Sequence, residues 1–252
     1  AAVAGFFPFG GWPDRQPCGP FGAYSDYISP RLTVALILAA LDKRERSGRG
    51  QHIDYSQMEA AAQLLSPAFL HDEINGVQGG RIGNKDSNFC PHGAYPVIGD
   101  DRWIAIACET QAQWEALSQV IGAPDLASLS REERLQRDEE IEALISRWSS
   151  QQDGIEAEAA LQRKKVPSHR VLYASEVAED SQLRHRKAFS QVSHPHHGQV
   201  WIEDSAIHLS RTPGAARWAG PPAGEDLYEV LTEILGRNPD EAAELIATGI
   251  FI

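Results

Sequence analysis

Leu38-Ala39-Ala40-Leu41-Asp42-Lys43-Arg44-Glu45-Arg46-Ser47-Gly48-Arg49-Gly50-Gln51-His52-Ile53-Asp54-Tyr55-Ser56 is the stretch on which the reading of this chain turns. It starts inside Leu32 to Leu41, a run that is apolar on every face. A helix of that pattern is expected to be buried all round, at least in its first turns. Asp42 to Arg46 carries the helix into water, with basic groups near the negative end of its dipole. Gly48 and Gly50 end it. Upstream, Pro30 suits the first helical turn, where its missing N–H costs nothing. Downstream, Ser56-Gln57-Met58-Glu59 has capping-box spacing and opens a helical pattern from Ala60 to Ile74.

The same starting signals recur further out. Thr110-Gln111-Ala112-Gln113 and Ser130-Arg131-Glu132-Glu133 each precede an amphipathic stretch, and Asn238-Pro239-Asp240-Glu241 places proline in a first helical position. Strands are few. Gly93 to Val97 and Trp103 to Ala107 flank a Gly99-Asp100-Asp101 turn and read as a hairpin. Val192, Gln199 to Ile202 and Ile207 to Leu209 suggest a second small antiparallel set. Residues 5 to 24, rich in Gly, Pro and aromatics, are loop chemistry. Strands and helices do not alternate as a doubly wound sheet requires. The expected class is α+β, helix-rich, with short antiparallel strands. The expected organisation is a helical segment over 1–75, a small α/β domain over 76–172, and a C-terminal return over 173–252 with two final helices.

The chain has 252 residues and a net charge of −12. That balance argues against nucleic acid or an anionic membrane as a partner, because both polyanions would be repelled. Leu32 to Leu41 is about half the roughly 20 residues that a bilayer crossing needs, and the N-terminus has no signal-peptide pattern. Three cysteines, Cys18, Cys90 and Cys108, are widely spaced and odd in number, which suits a reducing, cytoplasmic compartment. The single methionine is Met58. With the mid-course character of Gly5 to Pro13, this reads as a piece of a longer polypeptide.

Common nucleotide and hydrolase signatures are missing: there is no G-x-S-x-G, no G-x-x-x-x-G-K-[ST] and no G-x-G-x-x-G. His194-Pro195-His196-His197 reads as an exposed turn rather than a metal site, since no matched Cys or carboxylate pair accompanies it. His71-Asp72-Glu73 reads as a solvated helix end. Cys90, beside His92, reads as a packed thiol rather than a nucleophile. Lys43, Arg44, Arg46 and Arg49 read as a solvated helix end rather than a phosphate site. The stretch Gly79 to Asn88 is open to two readings. Arg81 and Lys85 bring cationic donors into a loop whose Gly83 and Asn84 permit close backbone approach. Such a loop can cover an anionic ligand, or it can simply connect domains.

The opening segment resembles the "AAL-x-x-R-x-R-T-G-x-G-Q-x-V-D-V-S" segment of class III coenzyme A transferases, the CaiB/BaiF family. Arg81-Ile82-Gly83-Asn84 is similar to that family's "R-x-G-N". Pro91-His92-Gly93-Ala94-Tyr95 resembles "P-x-G-x-Y", and Trp103 to Ala107 the strand that follows it. Val177 to Leu183 resembles "E-x-x-x-D-P-Q", and Gly224-Glu225-Asp226 with Glu229-Val230-Leu231 resembles "G-E-H-T-x-E-V-L". The order is kept across essentially the whole chain.

The resemblance implies a partial CaiB/BaiF-like fold of large and small domains, with two subunits interlocked as a homodimer, or an association of this chain with the missing N-terminal half. It implies CoA transfer between carboxylic acids, with an acyl-CoA thioester as substrate, a carboxylic acid as acceptor and no permanently bound cofactor or metal. In the family an aspartate attacks the thioester, forming an aspartyl anhydride and then an aspartyl-CoA thioester; this is covalent catalysis by a carboxylate. A glycine loop covers the intermediates and excludes water. By the same resemblance Arg81, Gly83, Asn84, Lys85 and Asp86 form the loop over the substrate site.

Three departures stand out. The nucleotide-binding N-terminal half is missing, so the "G-Y-D" aspartate would lie just before Ala1. Asp26 matches a different family aspartate, and this chain alone is expected to be inactive. Lys85 to Cys90 replaces the poly-glycine run, and Asp226 replaces the histidine of "G-E-H". Two other readings stay open: an acyl-CoA racemase or isomerase of the same superfamily, and a non-catalytic assembly module for a partner that carries the aspartate.

Overall fold

The computed structural model describes residues 2–20 and 22–251. Ala1, Phe21 and Ile252, which the expected loop and domain bounds include, lie outside the described residues. The chain forms two compact units, Ala1–Val171 and Leu172–Ile252.

The first unit opens with turns and then the long helix α1 (Tyr24–Ser47). Gly48 closes α1 in the left-handed conformation, its N–H donating to Arg44 O at 2.8 Å. Two expectations for α1 are corrected. It starts at Tyr24, so Pro30 lies inside the helix rather than in its first turn. It is also not buried all round: Leu38 is 60% and Ile37 45% exposed. An all-round apolar helix needs cover on every side. Here the short helix α2 (Gln57–Gln63) packs on α1, and the Tyr55 hydroxyl donates to Ser29 O at 3.1 Å.

The helical pattern from Ala60 to Ile74 is two helices. Helix α3 (Ser66–Asn75) begins afresh because Pro67 has no N–H to give to Gln63 O, and the Ser66 hydroxyl donates there at 2.6 Å instead. Ser56 accepts from Glu59 N at 3.3 Å, the first half of the expected capping box.

The centre of the first unit is an antiparallel sheet in the order β1 (His92–Pro96), β2 (Trp103–Ala107), β3 (Ser168–Arg170). The hairpin pairs Tyr95 with Ile104 and Gly93 with Ile106. Strand β3 was not legible beforehand. Ile104 and Ile106 point inward at 0% and 2% exposure, while Trp103 and Ala105 face outward, as a pleated strand demands.

Helices α4 (Gln111–Val120), α5 (Arg131–Gln136), α6 (Asp138–Ser149) and α7 (Gly154–Arg163) complete this part. Thr110 and Ser130 each make the complete capping box. Trp114 and Leu117 of α4, Ile141 and Ile145 of α6, and Leu161 of α7 are fully buried against the sheet. The i, i+4 spacing of Ile141 and Ile145 sets one stripe of α6 inward. That stripe fixes where its polar neighbours Asp138 and Glu142 emerge.

The second unit holds short helices α8 (Ala174–Val177) and α9 (Ser181–His185), a hairpin of β4 (Phe189–His194) and β5 (Gly198–Glu203), and α10 (Leu227–Glu229), which runs into a π-helical turn (Val230–Ile234). It ends with α11 (Pro239–Ala247), capped by Asn238, whose Oδ1 accepts from Glu241 N at 2.8 Å. The expected third strand at Ile207 to Leu209 is irregular chain. Asp204 interrupts pairing there: its carboxylate accepts from the Ser190 hydroxyl and, at 2.6 Å, from Ala216 N.

Candidate functional site

The loop Gly79 to Asn88 lies in the first unit between α3 and β1, and backbone hydrogen bonds pin it. Gly83 N–H donates to Gly11 O at 2.9 Å, and Arg81 Nε donates to Trp12 O at 3.1 Å. Gly83 is required here. Its φ is +65°, and a Cβ would come within 2.8 Å of Trp12 Nε1. On the other flank Asn84 O pairs with His92 Nδ1 at 2.6 Å, and Lys85 Nζ forms an ion pair with Asp138 of α6. Asp86 turns the chain, accepting from Asn88 N at 2.7 Å.

This packing separates the anticipated site residues. Asn84 and Lys85 line a cleft of about 630 Å³ with Trp12, Arg15, His92, Trp103 and Glu142. Arg81 lines a different hollow of about 560 Å³, with Phe9, Phe69 and Asp72. Gly83 and Asp86 shape the loop and line neither. Arg81 and Lys85 therefore do not converge on one ligand position.

The cleft contains groups that sequence reasoning missed. Glu142 Oε1 accepts from the buried Tyr95 hydroxyl at 2.6 Å. Burial holds the Glu142 carboxyl above the usual carboxylate range, and the Asp138 charge adds to this; the Tyr95 hydrogen bond, Lys85 and His92 oppose it. The Lys85 ammonium is held above its ordinary value, first by its hydrogen bond to Asp138. The one available signal was the i, i+4 spacing of Asp138 and Glu142, which puts both on one helix face. Nothing in sequence said that this face looks at residues 82–94.

Behind the cleft lies a buried polar knot. Arg134 is 1% exposed and donates to Cys90 O at 2.8 Å, Gln111 Oε1 at 2.7 Å and Leu129 O at 2.9 Å. Its guanidinium lies 5.5 Å from the Trp114 ring centroid. The Cys90 thiol points at Arg134 O, 3.3 Å away, and burial pushes it up to about 12. Such a group is a thiol at neutral pH and no nucleophile. Cys108 is likewise pushed up to about 12 by burial.

The histidine run forms the β4–β5 turn, where His196 N and His197 N donate to His194 Nδ1 at 3.1 and 3.2 Å. Among the described residues no group of three His, Cys, Asp or Glu side chains could hold a metal ion. No described helix is long and apolar enough to cross a membrane.

A family model described as CoA-transferase family III matches residues 1–227. The chain belongs to this family. It is 28% identical over 250 residues to a succinyl-CoA–D-citramalate CoA-transferase of Chloroflexus aurantiacus, covering 98% of this chain and 62% of that one. It is 30% identical to the alpha subunit of a succinyl-CoA–L-malate CoA-transferase of the same organism, covering 97% and 58%. A formyl-CoA:oxalate CoA-transferase of Streptomyces coelicolor is 27% identical, with 99% and 65% covered. The chain thus spans about three fifths of the length of the curated relatives it matches. Its fold is that of a CaiB/BaiF family protein from Brucella suis, with a TM-score of 0.80 at 24% identity over 92% of this chain and 61% of that one. In this family III chain, the segment from Leu38 to Ser56 runs from the end of α1 to the cap of α2, and the "R-x-G-N" residues are the first half of the pinned loop.

Proposed function

We propose that this chain is part of an acyl-CoA:carboxylate CoA-transferase whose attacking aspartate lies outside these 252 residues. The observation that carries this reading is the cleft of about 630 Å³ beside the family's "R-x-G-N" loop, which Lys85 lines together with Arg15, Asn84 and His92. An acyl-CoA and its acid partner are both anionic, so a cation held by Asp138 on one side keeps donors for them on the other. Following the family resemblance, the aspartate attacks the thioester carbonyl and expels CoA as thiolate, leaving a mixed anhydride. The thiolate then attacks the aspartyl carbonyl and releases the first acid. The acceptor carboxylate takes the aspartyl-CoA thioester through the same two steps in reverse order. Pinning of the loop by Gly11 and Trp12 supports a wall that keeps water from the anhydride, rather than a freely swinging poly-glycine lid.

In this reading residues 76–172 are the small domain, 1–75 and 173–252 belong to the large one, and the assembly is a homodimer in the cytoplasm. Succinyl-CoA, the donor in several relatives' names, is the first donor to test. In the complete polypeptide, Lys85→Ala lowers kcat/KM for acyl exchange by about 1–3 kcal/mol, roughly five- to 150-fold. Arg81→Ala has the smaller effect because Arg81 lines the other hollow. An unchanged kcat/KM for Lys85→Ala removes the loop from the mechanism. Racemisation at the α-carbon is the second reading, favoured by His92 and Glu142 lining one cleft. Solvent deuterium entering the α-carbon without CoA exchange decides for it. A complete polypeptide that binds no CoA ester is an assembly module.

A further inference from the structure

Two indoles, Trp12 and Trp103, line the 630 Å³ cleft, and the exchange chemistry uses neither. Trp12 is 45% and Trp103 39% exposed. Polar contacts hold both rings in place. Trp103 Nε1 donates to Asp101 Oδ1 at 2.8 Å, so its single N–H is spent and the ring offers the cleft only its π-system. Trp12 is seated against Gly83, where a Cβ would come within 2.8 Å of its Nε1. The Arg15 guanidinium lies 5.5 Å from the Trp12 ring centroid. Ile82 and Ala94 complete the apolar lining. Rings already fixed by such contacts take up a planar partner with little further loss of side-chain freedom.

The charged groups narrow the partner further. Lys85 pairs with Asp138, and Arg15 Nε lies 4.0 Å from Asp14. Glu142 adds a carboxyl to the same wall. The cleft therefore holds N–H donors for an anion but little net positive charge. One carboxylate is matched there, whereas a second one, or a group of phosphates, meets the carboxyls of Glu142 and Asp138 around Lys85. This sorts the components of an acyl-CoA reaction. Pantetheine has no ring. Adenine has one, but it is tied to several phosphate charges. A short diacid has no ring and one carboxylate too many. We propose that Trp12 and Trp103 form a subsite for the aryl ring of an aromatic monocarboxylic acid whose carboxylate faces Lys85. This rests on the transferase reading and gives its acid partner a class, unlike the aliphatic acids in the relatives' names.

The test is calorimetric binding of phenylacetate, cyclohexylacetate, succinate and adenosine 3′,5′-bisphosphate to the complete polypeptide. Phenylacetate and cyclohexylacetate match in length and charge and differ in the flat π-face. The wild-type protein is expected to prefer phenylacetate by about two- to tenfold, the worth of an aromatic pair beyond its buried area. It is also expected to bind phenylacetate more tightly than succinate. Trp103→Leu is expected to bring the phenylacetate to cyclohexylacetate ratio near one, and Trp103→Phe to keep it. Trp12→Leu is expected to lower the ratio in the same direction; if it does not fold, the two Trp103 variants carry the comparison. Binding of the bisphosphate is expected to be unchanged by Trp103→Leu. Absence of a ring preference in the wild-type protein overturns the inference, as does a folded Trp103→Leu variant that keeps the full ratio. Bisphosphate binding weakened by Trp103→Leu as strongly as that of phenylacetate would place the CoA purine on the indoles and overturn the aryl-acid assignment. Ring preference without any CoA exchange upholds the subsite and overturns the transferase reading; exchange without preference does the reverse.

Discussion

Residues 90–166 and helix α1 are both built on runs of Leu, Ile, Val and Ala, yet they use them differently. In the first region Ile104, Trp114, Leu117, Ile141, Ile145 and Leu161 are at 0% exposure, shared among a sheet and three helices. In α1 the large apolar side chains from Leu32 to Leu41 remain partly in water. The difference shows that apolar content does not make a core. Periodicity does, when it sets a stripe facing a second layer. Helix α6 has that stripe, whereas α1 is apolar on all sides and this chain covers only part of it.

The comparison breaks most sharply at Arg134. Arg134→Ala removes three hydrogen bonds and leaves the buried Cys90 O and the half-buried Leu129 O without their donor. A loss of about 4 kcal/mol is expected in urea unfolding, within the range for opening a buried charged network. A loss under about 1 kcal/mol would mean that the knot is not structural. Ile141→Ala tests the core stripe itself and is expected to cost about 3 kcal/mol. The matched change in α1, Leu38→Ala, is expected to stay within about 0.5 kcal/mol in this chain, because the side chain is mostly exposed already. Equal costs for the two would erase the contrast.

The mildest effect at neutral pH is that of the buried thiols. Cys90 and Cys108 titrate near 12 when folded but near 9 when exposed, so the unfolded chain releases their protons first. Their contribution is complete below pH 9 and is lost as pH rises towards 12. Denaturation midpoints should fall over that window, and Cys108→Ala should flatten the fall. In the native protein a thiol reagent should label the exposed Cys18 and spare the other two. Rapid labelling of Cys90 would contradict its packing against Arg134.

Much of the local structure was readable in advance. The Thr110 and Ser130 capping boxes, the Asn238-Pro239 helix start, the Gly48 terminator and the hairpin around Gly99 all depend on a few neighbouring residues. The errors came where a longer-range fact intruded. Pro67 split a continuous-looking helix, Asp204 drew the chain away from a third strand, and β3 joined the sheet from more than 60 residues away. The site divides along the same line. The loop from Gly79 to Asn88 was legible because glycine, Asn and paired cations are unusual together, but its two cations serve different hollows.

Short stretches of residues were enough for the helix starts and stops, the α+β class and, through the segment from Leu38 to Ser56, the likeness to CoA-transferase family III. These signals are local in the chain, carried by side chains that bond their own backbone or by motifs a few residues long. Packing brings Gly93, Tyr95 and Glu142 together, and packing puts Lys85 rather than Arg81 in their cleft. Residues 47 positions apart come within 2.6 Å only after the stripe of α6 has buried itself against the sheet. Burial of that stripe is a collective result of packing, so the direction in which Glu142 emerges was written in no single stretch of sequence.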